Sequence, residues 1–138
     1  MSSSGKIALG SDPSRTKRAP VSVKRILIVE DDRESLDTLQ EWLAGQGWHV
    51  RVAETGMDAI RTAASFQPHV VVTDYLLQDE ITGIELIVRL RASGLHIRYV
   101  LVTAVLGKAL LEGVKRLNGV PLLAKPFDFQ RLLDLIRR

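Results

Sequence analysis

Beyond residue 24 the chain alternates regularly between short apolar runs rich in β-branched residues and stretches whose apolar residues recur every three or four positions. The runs are typical of strands buried on both faces of a parallel sheet, and the stretches have the period of an α-helix. Helical periodicity assigns Ala64, Val88 and Leu106 to core-facing sides. The predicted strands are 26–29, 49–53, 70–73, 97–102 and 120–124. The predicted helices are 35–44, 57–66, 84–90, 106–117 and 128–138.

This succession of strand–helix units predicts an α/β fold, a flavodoxin-like (βα)5 doubly wound parallel sheet with helices on both faces. Pro121 lies in the fifth predicted strand and cannot donate a ladder hydrogen bond, so we expect that strand at an edge of the sheet. An edge position agrees with the strand order 2-1-3-4-5. In that order the ligand crevice lies outside the carboxyl ends of strands one and three.

The charge of the chain is unevenly distributed. Residues 1–23 are rich in Ser, Lys and Arg and are predicted to be a disordered tail, with the folded domain at 24–138. Residues 1–25 carry a net charge of +5 and the remainder −2, which together give the formal net charge of +3. The tail is either a solvated segment or an electrostatic contact for an acidic partner or nucleic acid, whereas the folded part is not expected to bind nucleic acid.

Composition also limits the cellular setting. The chain contains no cysteine, which excludes disulfides, thiolate metal sites and cysteine nucleophiles and agrees with a reducing compartment. No apolar run approaches the roughly 20 residues that span a bilayer. The expected location is therefore the cytoplasm, without membrane association.

Four predicted strands end in side chains suited to phosphoryl chemistry: Glu30 and Asp31 after strand one, Asp74 after strand three, Thr103 after strand four and Lys125 after strand five. Carboxylates that converge repel, by about 4 kcal/mol for two charges 4 Å apart at an effective dielectric constant of 20. Mg²⁺ or Mn²⁺ relieves such repulsion and prefers oxygen ligands. An Asp carboxylate can attack phosphorus, a Thr hydroxyl can donate to a phosphoryl oxygen, and a Lys can neutralise its charge.

Each of these residues also has a purely structural interpretation. Acids after strand one, Asp32 among them, are typical of a helix N-terminus, and an Asp often begins a loop. Thr is a common strand residue and Lys is normally solvated. Pro126 makes the Lys125–Pro126 bond a candidate for the cis form, and Phe127 is expected to be a buried anchor.

In combination, these strand ends resemble the response-regulator receiver domains of two-component signalling, over residues 25–138. The resemblance implies that Asp74 accepts a phosphoryl group from a sensor histidine kinase or a phosphotransfer protein. It also implies a downstream protein target on the face built from helix four, strand five and helix five. The chain is then expected to be a phosphoryl acceptor with self-dephosphorylation rather than an enzyme.

The resemblance further assigns a role to each site residue. Thr103 and Lys125 would hold the phosphoryl oxygens. The metal, Mg²⁺ or Mn²⁺, would be bound by Glu30, Asp31, Asp74 and the backbone carbonyl of Leu76.

The chain departs from the family pattern at two places. The loop from Asp74 to Gly83 is one residue longer than usual, has Leu-Gln where the family has Met-Pro, and adds Asp79 and Glu80, which are expected to face water. Leu122 stands where the family often has an aromatic residue that rotates inward on activation.

Two alternatives stay open. A Mg²⁺-dependent phosphatase or phosphotransferase would also use an Asp nucleophile, although such enzymes commonly take it from Asp-x-Asp after strand one, a spacing that this chain lacks. The chain could equally be the receiver fragment of a longer hybrid kinase or transcription factor. Nucleotide or flavin binding is disfavoured because neither G-x-G-x-x-G nor G-x-x-x-x-G-K-[ST] occurs.

Overall fold

The computed structural model describes residues 23–138, so the predicted tail lies outside the described residues except for Val23. Within this part, five strands alternate with five helices in the order expected from the periodicity. The strands are β1 (Arg25–Val29), β2 (His49–Ala53), β3 (Val70–Asp74), β4 (Arg98–Thr103) and β5 (Leu122–Ala124). The helices are α1 (Arg33–Gly45), α2 (Gly56–Phe66), α3 (Gly83–Ala92), α4 (Lys108–Arg116) and α5 (Phe129–Ile136).

The strands form one parallel sheet in the order β2-β1-β3-β4-β5, which confirms the predicted order 2-1-3-4-5. The β5 strand lies at an edge, as predicted, but Pro121 precedes the strand rather than lying in it. Its carbonyl accepts a hydrogen bond from the Leu101 N–H at 3.0 Å. In register, Asp74 at the end of β3 pairs with Val102 of β4, so the carboxyl ends of the central strands meet at one edge of the sheet.

Helices cover both faces of the sheet and enclose two separate cores. On one face α1 and α5 pack against the sheet, and on the other face α2, α3 and α4 do so. Three residues assigned to core-facing sides are exposed instead: Ala64, Val88 and Leu106. Ala64 and Val88 each follow a buried residue by one position, which turns them about 100° away on the helix, and Leu106 precedes α4.

Helix α4 begins less favourably than the other helices of the described chain. The side chains of Thr55, Thr82 and Asp128 accept backbone N–H bonds at the starts of α2, α3 and α5, and α1 has an acid in its first turn. Helix α4 begins after Gly107, without a side-chain cap or an acid in its first turn. Lys108, its first residue, places a positive charge at the positive end of the helix dipole. No helix in residues 23–138 has the length and apolar content to cross a membrane.

Gly83 allows α3 to begin directly against the backbone of Asp74. Its N–H donates to the Tyr75 carbonyl at 2.7 Å, and a Cβ at this position would lie 2.2 Å from the Asp74 carbonyl oxygen. We therefore expect Gly83→Ala to lower the free energy of unfolding by about 2 kcal/mol, because backbone atoms cannot move aside as a flexible side chain can. Urea denaturation measures this change.

Gly45→Ala is the matched control, because a Cβ at Gly45 in α1 would meet nothing within 4 Å. Ala is the better helix residue, so this variant is expected to be at least as stable as the parent, by up to ~1 kcal/mol. Equal stability of the two variants would contradict the close approach at Gly83.

Candidate functional site

The carboxyl edge of the sheet gathers the polar strand ends into one site. Glu30 follows β1 directly, Asp74 is the last residue of β3, Thr103 is the last residue of β4, and Lys125 follows β5. Lys125 is half-buried, and its backbone continues the hydrogen bonding of the sheet. The Lys125 N–H itself donates to the Thr103 carbonyl at 2.8 Å, which fixes the end of β5 beside β4.

Three carboxylates converge in this site. Glu30, Asp31 and Asp74 each offer one carboxylate oxygen, and these oxygens lie within 4.8 Å of one another. The Glu30 and Asp74 side chains are only 10% and 14% exposed, so water screens their repulsion poorly. Asp32 is exposed at the start of α1, where its carboxylate accepts from the Ser35 hydroxyl at 2.6 Å. Asp32 occupies the N-cap position of α1, but its side chain makes no capping bond to a backbone N–H.

Lys125 supplies the positive charge of the site. Its Nζ lies 2.5 Å from Glu30 Oε1 and 3.4 Å from Asp74 Oδ2. The Lys125–Pro126 bond is cis, as predicted. Phe127 is half-buried rather than buried, and it packs against the α1/α5 core with its ring 6.2 Å from that of Phe129.

The environment shifts the pKa values of both charged partners. Burial raises the pKa of Asp74 to about 6, the charge of Glu30 adds to this, and Lys125 and the Tyr75 N–H oppose it. Burial by itself lowers the pKa of Lys125, but the hydrogen bond that Lys125 donates to Glu30 and the charges of Asp74 and Glu30 outweigh burial and raise it. Asp74 consequently changes its protonation closer to neutral pH than an ordinary Asp does.

The donor set fits a hard divalent cation. All three converging side chains are carboxylates, and within residues 23–138 no histidine or cysteine joins them in the cluster. A cation there would take over part of the charge compensation that Lys125 now provides. The backbone carbonyl of Leu76, assigned to the metal by the resemblance, stays a prediction; Leu76 lies in the loop after β3 with its side chain 57% exposed.

Thr103 is buried at the end of β4, where the sequence places it, but its hydroxyl is already engaged. It donates to the Val105 carbonyl at 2.7 Å and accepts from the Val105 N–H at 3.0 Å. Donation to a phosphoryl group would therefore require the hydroxyl to leave the Val105 carbonyl. Val105 and Leu106 beside it are 59% and 63% exposed, so this bond connects the site with an apolar surface loop.

The two acids of the lengthened loop differ from each other. Glu80 is exposed, as predicted, whereas Asp79 faces water only in part. The Asp79 carboxylate accepts hydrogen bonds from the Gly56 N–H at 3.1 Å and the Met57 N–H at 2.9 Å, at the start of α2. No local sequence pattern indicates this contact, because the partners lie more than 20 residues apart in the chain.

A cavity of about 600 Å³ opens beside the acidic cluster, between the sheet, α1 and the loop from β5 to α5. Its polar end includes Glu30, Asp74 and Lys125, and its apolar wall includes Leu39, Phe127 and Phe129. Leu122, at the position of the family's aromatic residue, is half-buried and packs on the α2/α3/α4 core instead of lining this cavity.

A parallel sheet of this order, with converging carboxylates and a lysine at its carboxyl edge, defines a receiver-type signalling domain. The Response regulator receiver domain family matches residues 26–137, and the chain belongs to this family. Domains of this family receive phosphoryl groups in two-component signalling, response regulators interact with histidine kinases, and the family is generally non-enzymatic.

Curated relatives agree with this assignment. Response regulator MprA of Mycolicibacterium vanbaalenii is 32% identical over 115 residues, which cover 82% of this chain and 48% of the relative. Transcriptional regulatory protein TrcR of Mycobacterium tuberculosis is 30% identical over 131 residues, covering 94% and 49%. The chain spans about half the length of the curated relatives it matches.

Solved structures show the same architecture. The signal receiver domain of a modulated diguanylate cyclase from Desulfovibrio desulfuricans is 30% identical, with a TM-score of 0.76 over 84% of this chain and 92% of that chain. A CheY-like receiver domain from Methanospirillum hungatei is 24% identical and has a TM-score of 0.78 over the same shares. The second likeness shows the fold alone.

Proposed function

We propose that residues 24–138 form a receiver domain whose Asp74 accepts a phosphoryl group from a sensor histidine kinase or a phosphotransfer protein in the cytoplasm. The observation that carries this proposal is the position of Asp74: its carboxylate lies within 4.8 Å of those of Glu30 and Asp31 and 3.4 Å from the Lys125 ammonium. One nucleophilic carboxylate is thus surrounded by groups that hold a cation and neutralise transferred charge.

In the transfer step, an Asp74 oxygen forms a bond to phosphorus while the bond from phosphorus to the donor's imidazole nitrogen breaks. The nitrogen keeps the electron pair and takes a proton from solvent. Mg²⁺, held by Glu30, Asp31 and Asp74, would stabilise the negative charge that builds up on the phosphoryl oxygens. Lys125, already 3.4 Å from Asp74, would turn from the carboxylate to the phosphoryl oxygens.

We further propose that phosphorylation is read out through the loop after β4. When the Thr103 hydroxyl donates to a phosphoryl oxygen, the Val105 carbonyl loses its donor and the loop shifts toward the site. The exposed apolar side chains of Val105, Leu106 and Leu111 then change position on the face built from α4, β5 and α5, where a downstream protein would bind. Hydrolysis of the acyl phosphate returns the domain to its starting state.

Direct labelling tests the acceptor. We expect the protein, incubated with Mg²⁺ and a small acyl phosphate donor, to gain the mass of one phosphoryl group, and Asp74→Asn to gain none. Asp74 ends β3 with its carboxylate 3.4 Å from the Lys125 ammonium and beside those of Glu30 and Asp31, so its loss removes the nucleophile that the proposal assigns. Intact-protein mass spectrometry measures the adduct.

Asp32→Asn serves as the control, because it removes a neighbouring acid that lies outside the carboxylate cluster. This variant is expected to label like the parent. Labelling of Asp74→Asn at the parent's level would reject Asp74 as the acceptor. Sustained turnover of a small phosphomonoester by the parent would favour a phosphatase or phosphotransferase instead.

A further inference from the structure

The loop that follows Asp74 is fastened to a neighbouring helix by one side chain. Asp79 Oδ1 accepts from the Gly56 N–H at 3.1 Å, and Oδ2 accepts from the Met57 N–H at 2.9 Å. Thr55 Oγ1 accepts from the third N–H of the same turn, that of Asp58, at 3.1 Å. The first-turn N–H groups of α2, which have no partner within a helix, are therefore satisfied partly by a carboxylate from another loop.

Packing supports the same contact. Ile81, two residues after Asp79, is only 6% exposed, and a Cβ added to Gly56 would lie 2.9 Å from the Ile81 Cβ. The loop is thus pressed against the backbone of α2 where only a glycine leaves room. Burial tends to raise the pKa of Asp79, but backbone N–H groups, led by those of Met57 and Gly56, outweigh burial and lower it, which keeps the acceptor ionised.

The loop is held at its other end as well. The Tyr75 N–H donates to Val102 at 2.8 Å, and the Tyr75 carbonyl accepts from Gly83 at 2.7 Å. The segment between Tyr75 and Asp79 therefore has both of its ends fixed. This segment follows directly on Asp74, one of the three carboxylates that fit a cation.

We propose that Asp79 is a positioning residue for the metal: its bond to the start of α2 holds the loop after β3 so that the loop backbone completes the cation site. This inference rests on the proposed metal-dependent function. Asp79 itself does not touch the carboxylate cluster, whose members are Glu30, Asp31 and Asp74. Its contribution is to reduce the number of loop conformations that binding would otherwise have to restrict.

The test is a calorimetric titration of the protein with Mg²⁺ alone. We expect Asp79→Ala to raise the dissociation constant about tenfold, as is typical for partners that orient metal ligands. Asp79→Asn keeps one acceptor oxygen and should show a smaller rise. Glu80→Ala removes the same charge from the neighbouring exposed residue and is expected to bind Mg²⁺ like the parent.

A second readout separates positioning from general destabilisation. Amide hydrogen exchange at Gly56 and Met57 should accelerate in Asp79→Ala and not in Glu80→Ala. At saturating Mg²⁺ the rate of Asp74 labelling should return to that of the parent, because the nucleophile itself is unchanged. If Asp79→Ala does not fold, Asp79→Asn carries the test, since it preserves the size of the side chain.

Two results would overturn the inference, and they are distinguishable. A parent that binds Mg²⁺ while Asp79→Ala and Glu80→Ala bind it equally well refutes the role of Asp79 alone. A parent that does not bind Mg²⁺ refutes the proposed metal-dependent function together with this inference.

Discussion

In metal-free buffer at about pH 8, Asp74→Asn is expected to be about 3 kcal/mol more stable to unfolding than the parent. The pKa of Asp74 is raised from 3.8 to about 6, chiefly by burial and then by the charge of Glu30. The folded state thus binds this proton more tightly than the unfolded state does, and ionisation of Asp74 destabilises the fold. The parent should lose stability as the pH rises from about 4 to about 6, whereas Asn has no proton to lose.

Urea denaturation at a series of pH values measures the difference. The difference in the free energy of unfolding between Asp74→Asn and the parent should be near its full size above about pH 6. It should disappear below about pH 4, where Asp74 is protonated in both the folded and the unfolded state. Mg²⁺ should reduce this difference in stability, because the cation binds and stabilises the parent more than the variant. Asp37→Asn, at an exposed position of α1, provides the control for the loss of one carboxyl group. A constant difference at all pH values would contradict the raised pKa.

Lys125→Met is expected to reduce the stability of the metal-free protein by about 1–3 kcal/mol. The ammonium lies 2.5 Å from Glu30 Oε1 and 3.4 Å from Asp74 Oδ2, and removing it leaves both carboxylates without their cation. The same change should make Mg²⁺ bind several-fold tighter, because the metal no longer shares the site with a positive charge. Thermal unfolding with and without Mg²⁺ measures both effects.

Lys115→Met, at an exposed position near the end of α4, removes an equal charge far from the carboxylates and should leave both quantities nearly unchanged. The pKa of Lys125 is raised above its ordinary value of 10.5. The contribution of Lys125 to the free energy of unfolding should therefore be fully present below pH 10.5 and be lost only as the pH rises through the folded-state pKa. Weaker Mg²⁺ binding by Lys125→Met would show that the lysine does not compete with the metal.

The sheet and the place of the site could be predicted because both follow from local pattern and register. Strands that are buried on both faces have unbroken apolar sequences, and parallel pairing brings their carboxyl ends together. Glu30, Asp74 and Lys125 were therefore expected to converge, and the structure brings them together. Burial at the edge of the apolar face of a helix was less predictable, since Ala64 and Val88 differ from their buried neighbours only by one step around the helix.

Contacts between distant loops could not be predicted from the sequence. Asp79 looks like any charged loop residue until α2 is placed beside it, and its partners are set by tertiary packing. For Thr103, the sequence similarly predicts the position of the residue but not the direction of its hydroxyl, which depends on the turn at Val105. In both cases the side chain satisfies a backbone hydrogen-bond donor or acceptor, and such a bond produces no periodic pattern in the sequence.

The weak start of α4 has a consequence for how a chemical event at Asp74 could spread. Without a side-chain cap and with Lys108 at the positive end of the dipole, the first turn of α4 costs little to unwind compared with the rest of the domain. That turn follows the loop which Thr103 holds through Val105. Local melting or lengthening of this turn would transmit the event by an order–disorder change, a route that needs no rotating aromatic ring where Leu122 stands.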